Sequence, residues 1–80
     1  MHILIVEDEA AIRLLTKTKL RNEYNIIEAA NGVQALEVLE HKHIDLIIAD
    51  IMMPEMNGYE FVQSLRDSGD MTPVIMLTAM

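Results

Sequence analysis

Three short apolar runs govern what this chain can fold into: Ile3 to Val6, Leu46 to Ala49, and Val74 to Leu77. Each is rich in β-branched or long aliphatic residues and stops at a polar one (Glu7, Asp50 or Thr78). An unbroken run of that kind marks a strand covered on both faces, as in a parallel sheet. The same brevity rules out a bilayer span, which needs about 20 apolar residues in succession. A weaker fourth strand is read over Tyr24 to Ala29, where Ile26 and Ile27 sit between polar neighbours.

Helical patterns fill the intervals. Gly32, Ala35, Leu36 and Leu39 lie at i, i+3, i+4 and i+7, along one stripe of a helix. Gly58, Phe61, Val62 and Leu65 repeat the template, as do Ala11, Leu14, Leu15 and Thr18, with Ile12 and Leu20 widening the stripe. Asn31 with Gln34, and Asn57 with Glu60, have the spacing of reciprocal N-terminal caps. His41, Lys42 and His43 stand where positive charge complements the exposed carbonyls of a helix end. The order β-α-β-α-β-α-β demands right-handed crossovers, hence an α/β fold with an open parallel sheet and helices on its faces. Residues 1–80 make one domain at most.

Composition narrows the function. Aromatics are only 4% of residues, so aliphatics and seven methionines must fill the core. Met53 is expected in loop or core packing with Met52, and Met71, Met76 and Met80 in gaps facing the sheet. Thirteen acidic residues against six basic ones give a net charge of −7, which argues against nucleic-acid contact by this segment. Without cysteine there is no disulfide or thiolate metal site. Met1 to Asp8 has neither a basic region nor a cleavage site, so no secretory signal is read, no membrane partner is expected, and the expected compartment is the cytoplasm.

In an open parallel sheet, ligands bind beyond the carboxyl ends of the strands. The residues there are Glu7, Asp8 and Glu9 after the first run, Asp50 after the third strand, and Thr78 and Ala79 after the last. If the first and third strands are neighbours, Glu7, Asp8 and Asp50 gather at one edge. Two unit charges about 4 Å apart repel by roughly 4 kcal/mol at an effective dielectric near 20, so three carboxylates need a proton or a cation among them. Hard oxygen donors in a small, partly hydrated cluster favour Mg2+. Asp50 beside such an ion is a competent nucleophile toward phosphorus, and Thr78 offers a hydroxyl to a phosphoryl oxygen. Other polar residues invite plainer readings. Glu9 reads as a first-turn helix acid. His41 and His43 read as a solvated helix end, since zinc sites need three or four protein ligands. Asp50 taken alone would pass for a helix cap or a solvated loop residue.

Read in order, Ile5-Val6-Glu7-Asp8-Glu9, then Ile48-Ala49-Asp50-Ile51-Met52-Met53-Pro54-Glu55-Met56-Asn57-Gly58, then Val74-Ile75-Met76-Leu77-Thr78-Ala79, the chain resembles the receiver domain of bacterial two-component response regulators. The resemblance implies a flavodoxin-like fold of strand order 2-1-3-4-5, a topology for which receivers are themselves the usual illustration. It implies that Asp50 is the phosphoacceptor of a sensor histidine kinase, that the domain is not an enzyme, and that Thr78 is the switch hydroxyl. Mg2+ would be held by Asp8 directly, by Glu7 mainly through water, by Asp50, and by the backbone carbonyl of Met52. Glu7 stands where many receivers carry aspartate. Pro54 and Gly58 would shape the loop before the third helix. The output domain of the parent protein is expected to bind DNA, by family analogy.

Receivers run about half as long again as this chain, so the fold is expected to be incomplete, with the fifth strand and last two helices absent. The absent strand would carry a lysine for the phosphoryl group, for which Lys17, Lys19 and Lys42 are poor substitutes. Weak phosphorylation and self-association through an exposed strand edge or sheet face are therefore expected. An aspartate-nucleophile phosphatase would carry a second Asp where this chain has Met52. A flavin module would need a glycine- and hydroxyl-rich loop where it has Glu7-Asp8-Glu9. The remaining alternative is a non-phosphorylated, oligomerising interaction domain with a vestigial acidic pocket.

Overall fold

The structure is a computed structural model and describes residues 1–53 and 55–77. Seven elements follow one another: β1 (His2–Val6), α1 (Ala10–Leu20), β2 (Asn25–Ala29), α2 (Gly32–His41), β3 (Leu46–Asp50), α3 (Gly58–Asp67) and β4 (Val74–Leu77). All four strands are parallel and lie in the order β2-β1-β3-β4. The chain moves outward from β1 to β2, then returns to the other side of β1 for β3. That reversal leaves a crevice at the carboxyl ends of β1 and β3, where Val6 pairs with Ala49. Pro54, Thr78, Ala79 and Met80, for which the sequence carries expectations, lie outside the described residues.

The run of β1 is covered on both faces, whereas that of β4 is not, Ile75 and Leu77 being 49% and 43% exposed, so the expected two-sided cover fails at the outermost described strand. On one face Leu4, Val6, Ile47 and Ala49 pack with Ala35 of α2 and with Phe61 and Leu65 of α3, all at most 2% exposed. On the other face Ile3 and Ile5, each 2% exposed, lie beneath α1. Full burial of side chains of this size contributes roughly 1.5–3 kcal/mol each. Met76 packs against this core and Met53 lies within it, as expected.

The caps of the second and third helices differ. Asn57 and Glu60 form the complete reciprocal box, with Glu60 N–H donating to Asn57 Oδ1 at 2.9 Å and Asn57 N–H donating to Glu60 Oε1 at 3.2 Å. At α2 only half forms. Asn31 Oδ1 accepts from Gln34 N–H at 2.8 Å, but Gln34 Oε1 accepts from Ala30 N–H, one residue earlier than the box requires.

Three other expectations need correction. Met71 lies in the irregular segment between α3 and β4 and is 68% exposed, so it fills no gap. Glu9 is the N-cap residue of α1 rather than a first-turn acid. The stripe of α1 stays largely open: Leu14 and Leu15 are 60% and 57% exposed, and no α1 residue is fully buried. The helix packs over β1 and β2. Its far flank, with Leu15 and Leu20, overhangs Ile48, Ile75 and Leu77 across a groove of about 270 Å³.

Candidate functional site

Glu7 follows directly on β1, and its backbone extends the strand: Glu7 N–H donates to Ala29 O of β2 at 3.1 Å. The chain then turns into α1, whose N-cap, Glu9, has extended backbone. Glu9 N–H donates to Glu7 Oε1 at 3.2 Å, so the two-residue step that presents Asp8 is closed by the Glu7 side chain itself. Asp50 is the last residue of β3, the neighbour of β1, and Met52 N–H donates to its Oδ1 at 3.0 Å.

Adjacent strands ending in acids put three carboxylates together. One oxygen each from Glu7, Asp8 and Asp50 lies within 4.8 Å of the others. Glu7 and Asp50 are buried, whereas Asp8 reaches solvent. At that spacing each ionised pair repels by roughly 3 kcal/mol at an effective dielectric near 20. Burial is the main force pushing the Glu7 carboxyl up to about 7; the Glu9 N–H pulls the other way, and Asp50 and Asp8 push further up. Such a group is half protonated near neutrality. An all-oxygen donor set with more negative charge than it can hold is what a hard divalent cation fits, so the residues present suit Mg2+. The sequence expectation that Glu7, Asp8 and Asp50 converge is met.

The loop after β3 is positioned by backbone contacts. Gly58 N–H donates to Ile51 O at 2.9 Å, tying the start of α3 to the residue after Asp50. A Cβ at position 58 would strike the Met76 methyl and lie 2.7 Å from Asp50 O, so the close approach admits only glycine. Glu55 has φ 69, in the left-handed region, inside the same loop. Nothing in the sequence pattern marks that glutamate.

Arg13 also escapes sequence reasoning. Its Nη1 donates to Glu7 O at 2.7 Å, and its Nε lies 3.3 Å from Glu28 Oε1 on β2. The signal available was a cation in the first turn of the helix that follows an acidic strand end. Among the described residues no lysine joins the carboxylates. Lys17 Nζ is bound to Glu28 Oε2 at 3.1 Å, Lys19 lines the groove beside α1, and Lys42 caps the far end of α2. His41 and His43 also stay away, His43 Nε2 lying 2.8 Å from Asp45 Oδ1 at the opposite edge of the sheet.

Comparison with known proteins places these features in context. The family model described as the response regulator receiver domain matches residues 3–80. A probable transcriptional regulator of Porphyridium aerugineum is 43% identical over 79 residues, covering 98% of this chain and 32% of its own length. The chain thus spans about a third of the curated relatives it matches. Among solved structures, the receiver domain of Francisella response regulator 1452 superposes with a TM-score of 0.92 at 31% identity, covering 99% of this chain and 66% of that one. The response regulator TrrA of Thermotoga maritima, solved in complex with Mg2+ and BeF, gives 0.91 at 39% identity, covering 99% and 70%. Among the described residues, no helix is long and apolar enough to cross a membrane.

Proposed function

The chain belongs to the response regulator receiver domain family of two-component systems, and on that premise we propose that Asp50 accepts a phosphoryl group from a sensor histidine kinase in the cytoplasm. The observation that carries this reading is the convergence of Glu7, Asp8 and Asp50 at the one edge of the sheet where the strand order reverses. An Asp50 carboxylate oxygen attacks phosphorus, a P–O bond forms, and the P–N bond to the donor imidazole breaks, leaving an acyl phosphate. Glu7, Asp8, Asp50 and the Met52 carbonyl would hold Mg2+, with Thr78 as the switch hydroxyl. When bound, the cation supplies charge neutralisation for the incoming phosphoryl oxygens. Asp50 Oδ1 accepts from the Met52 N–H at 3.0 Å, which orients the carboxylate for attack.

The domain does no further chemistry on a substrate, and the phosphorylated state is relayed to an output domain that binds DNA, in keeping with the transcriptional regulators it resembles. Ile75 and Leu77, 49% and 43% exposed, lie on the outermost described strand beside the open flank of α1. That surface supports self-association of this chain in isolation, and a sedimentation mass equal to one chain at micromolar concentration would refute it.

The test of the main reading is phosphorylation by a small acyl phosphate donor with magnesium. One phosphoryl mass on the peptide containing Asp50, lost with chelator and in Asp50→Asn, is the expected result. Labelling elsewhere, or labelling indifferent to magnesium, would overturn the assignment and favour an interaction domain with a vestigial pocket.

A further inference from the structure

The peptide that leads from Glu7 to Asp8 is held from outside the site. Its carbonyl lies past the last rung between β1 and its neighbours, where no strand among the described residues supplies a donor, and Arg13 fills that role with a 2.7 Å charge-assisted bond. The guanidinium is held in turn by Glu28, whose other oxygen is occupied by Lys17. Glu28 sits on β2 opposite Ile5, two residues before Glu7, so its register is locked to the strand that delivers the acids. The Arg13 side chain is 20% exposed and Glu28 32%, so this ion pair is partly shielded from solvent.

We infer that Arg13 is a positioning residue: by gripping the Glu7 carbonyl, and with Glu28 orienting its guanidinium, it presets the Glu7–Asp8 backbone for a divalent cation. This rests on the reading that the carboxylates bind such an ion. A flexible 7–8 peptide would have to be ordered when the cation arrives, and that ordering weakens binding. Partners outside the ligand set of a metal are typically worth about tenfold or more in affinity. Arg13 also carries a positive charge, which by itself repels a cation. The two effects have opposite signs, so the direction of change in affinity separates them.

The experiment is magnesium titration of the chain by calorimetry at fixed pH and salt, with circular dichroism to verify folding. Arg13→Met keeps the apolar stem and removes the guanidinium; magnesium Kd is expected to rise about tenfold. Glu28→Gln leaves Arg13 in place but loosens it, with a smaller rise than Arg13→Met gives. Arg13→Lys, which keeps charge and one donor without the planar fork, should recover part of the loss. Unchanged or tighter binding by folded Arg13→Met would overturn the inference, leaving only a repelling charge. If Arg13→Met does not fold, Glu28→Gln and Arg13→Lys decide, and wild-type affinity in both overturns it. A wild-type chain that binds no magnesium would overturn the cation reading itself, and this inference with it.

Discussion

The Glu7 carboxyl makes stability depend on pH in a direction opposite to that of most acids. Burial, with Asp50 and Asp8 nearby, raises it from 4.5 to about 7 in the folded chain. Between those values the native state holds a proton that the unfolded state has released, so stability falls as pH rises through the window. Each unit of displacement is worth 1.36 kcal/mol, which makes the full loss about 3 kcal/mol. Glu7→Gln keeps the shape and removes the titration. The assay is urea unfolding of both forms in chelator from about pH 4 to about pH 8, read as the wild-type minus variant difference. That subtraction cancels the histidines and the acids that do not interact with Glu7. The difference should shift against the wild type by about 3 kcal/mol, or a midpoint change of roughly 2–3 M urea. Millimolar magnesium at the upper end should restore most of it, because the cation takes the place of the proton. A difference that stays flat, or that moves in favour of the wild type as pH rises, would refute the reasoning.

Three further outcomes are expected. Gly58→Ala places a methyl against Asp50 O and the Met76 side chain and should cost about 1–3 kcal/mol, lowering Tm by at least several degrees; an unchanged Tm would mean that α3 starts farther from β3. Asn57→Ala removes the side-chain half of the capping box and should cost about 1 kcal/mol in chemical denaturation, close to the cost of Asn31→Ala, because Glu60 still accepts from the backbone N–H of residue 57. Glu55→Gly relieves a left-handed backbone and should change stability by less than about 1 kcal/mol, the strain removed offsetting the added unfolded-state entropy; a large loss would show that the Glu55 side chain matters.

Most of the architecture was legible because the signals were redundant. The runs at Ile3, Leu46 and Val74 had to be strands whatever their neighbours did, and the Asn57–Glu60 pair announced its helix by a spacing that serves nothing else. The acids of the site were legible for the same reason, since residues following a buried strand emerge at the sheet edge. What escaped was whatever depends on distance between elements. Whether Leu14 and Leu15 are covered is decided by how far α1 lies across the sheet, which its periodicity does not encode. Gln34 accepts from Ala30 N–H rather than from Asn31 N–H, a choice of partner that residue spacing alone does not encode. Arg13 looked like any surface cation until the fold put the Glu7 carbonyl beneath it.

The contact at Gly58 sets a rule for anyone transplanting the segment between β3 and α3 into another scaffold. The helix does not float on a tether; its first amide is fastened to the Ile51 carbonyl, and it rests on the main chain of the residue that bears the carboxylate. A graft that lengthens or shortens the stretch between positions 51 and 58 would break that fastening. One that brings any side chain to position 58 would push the helix and the aspartate apart.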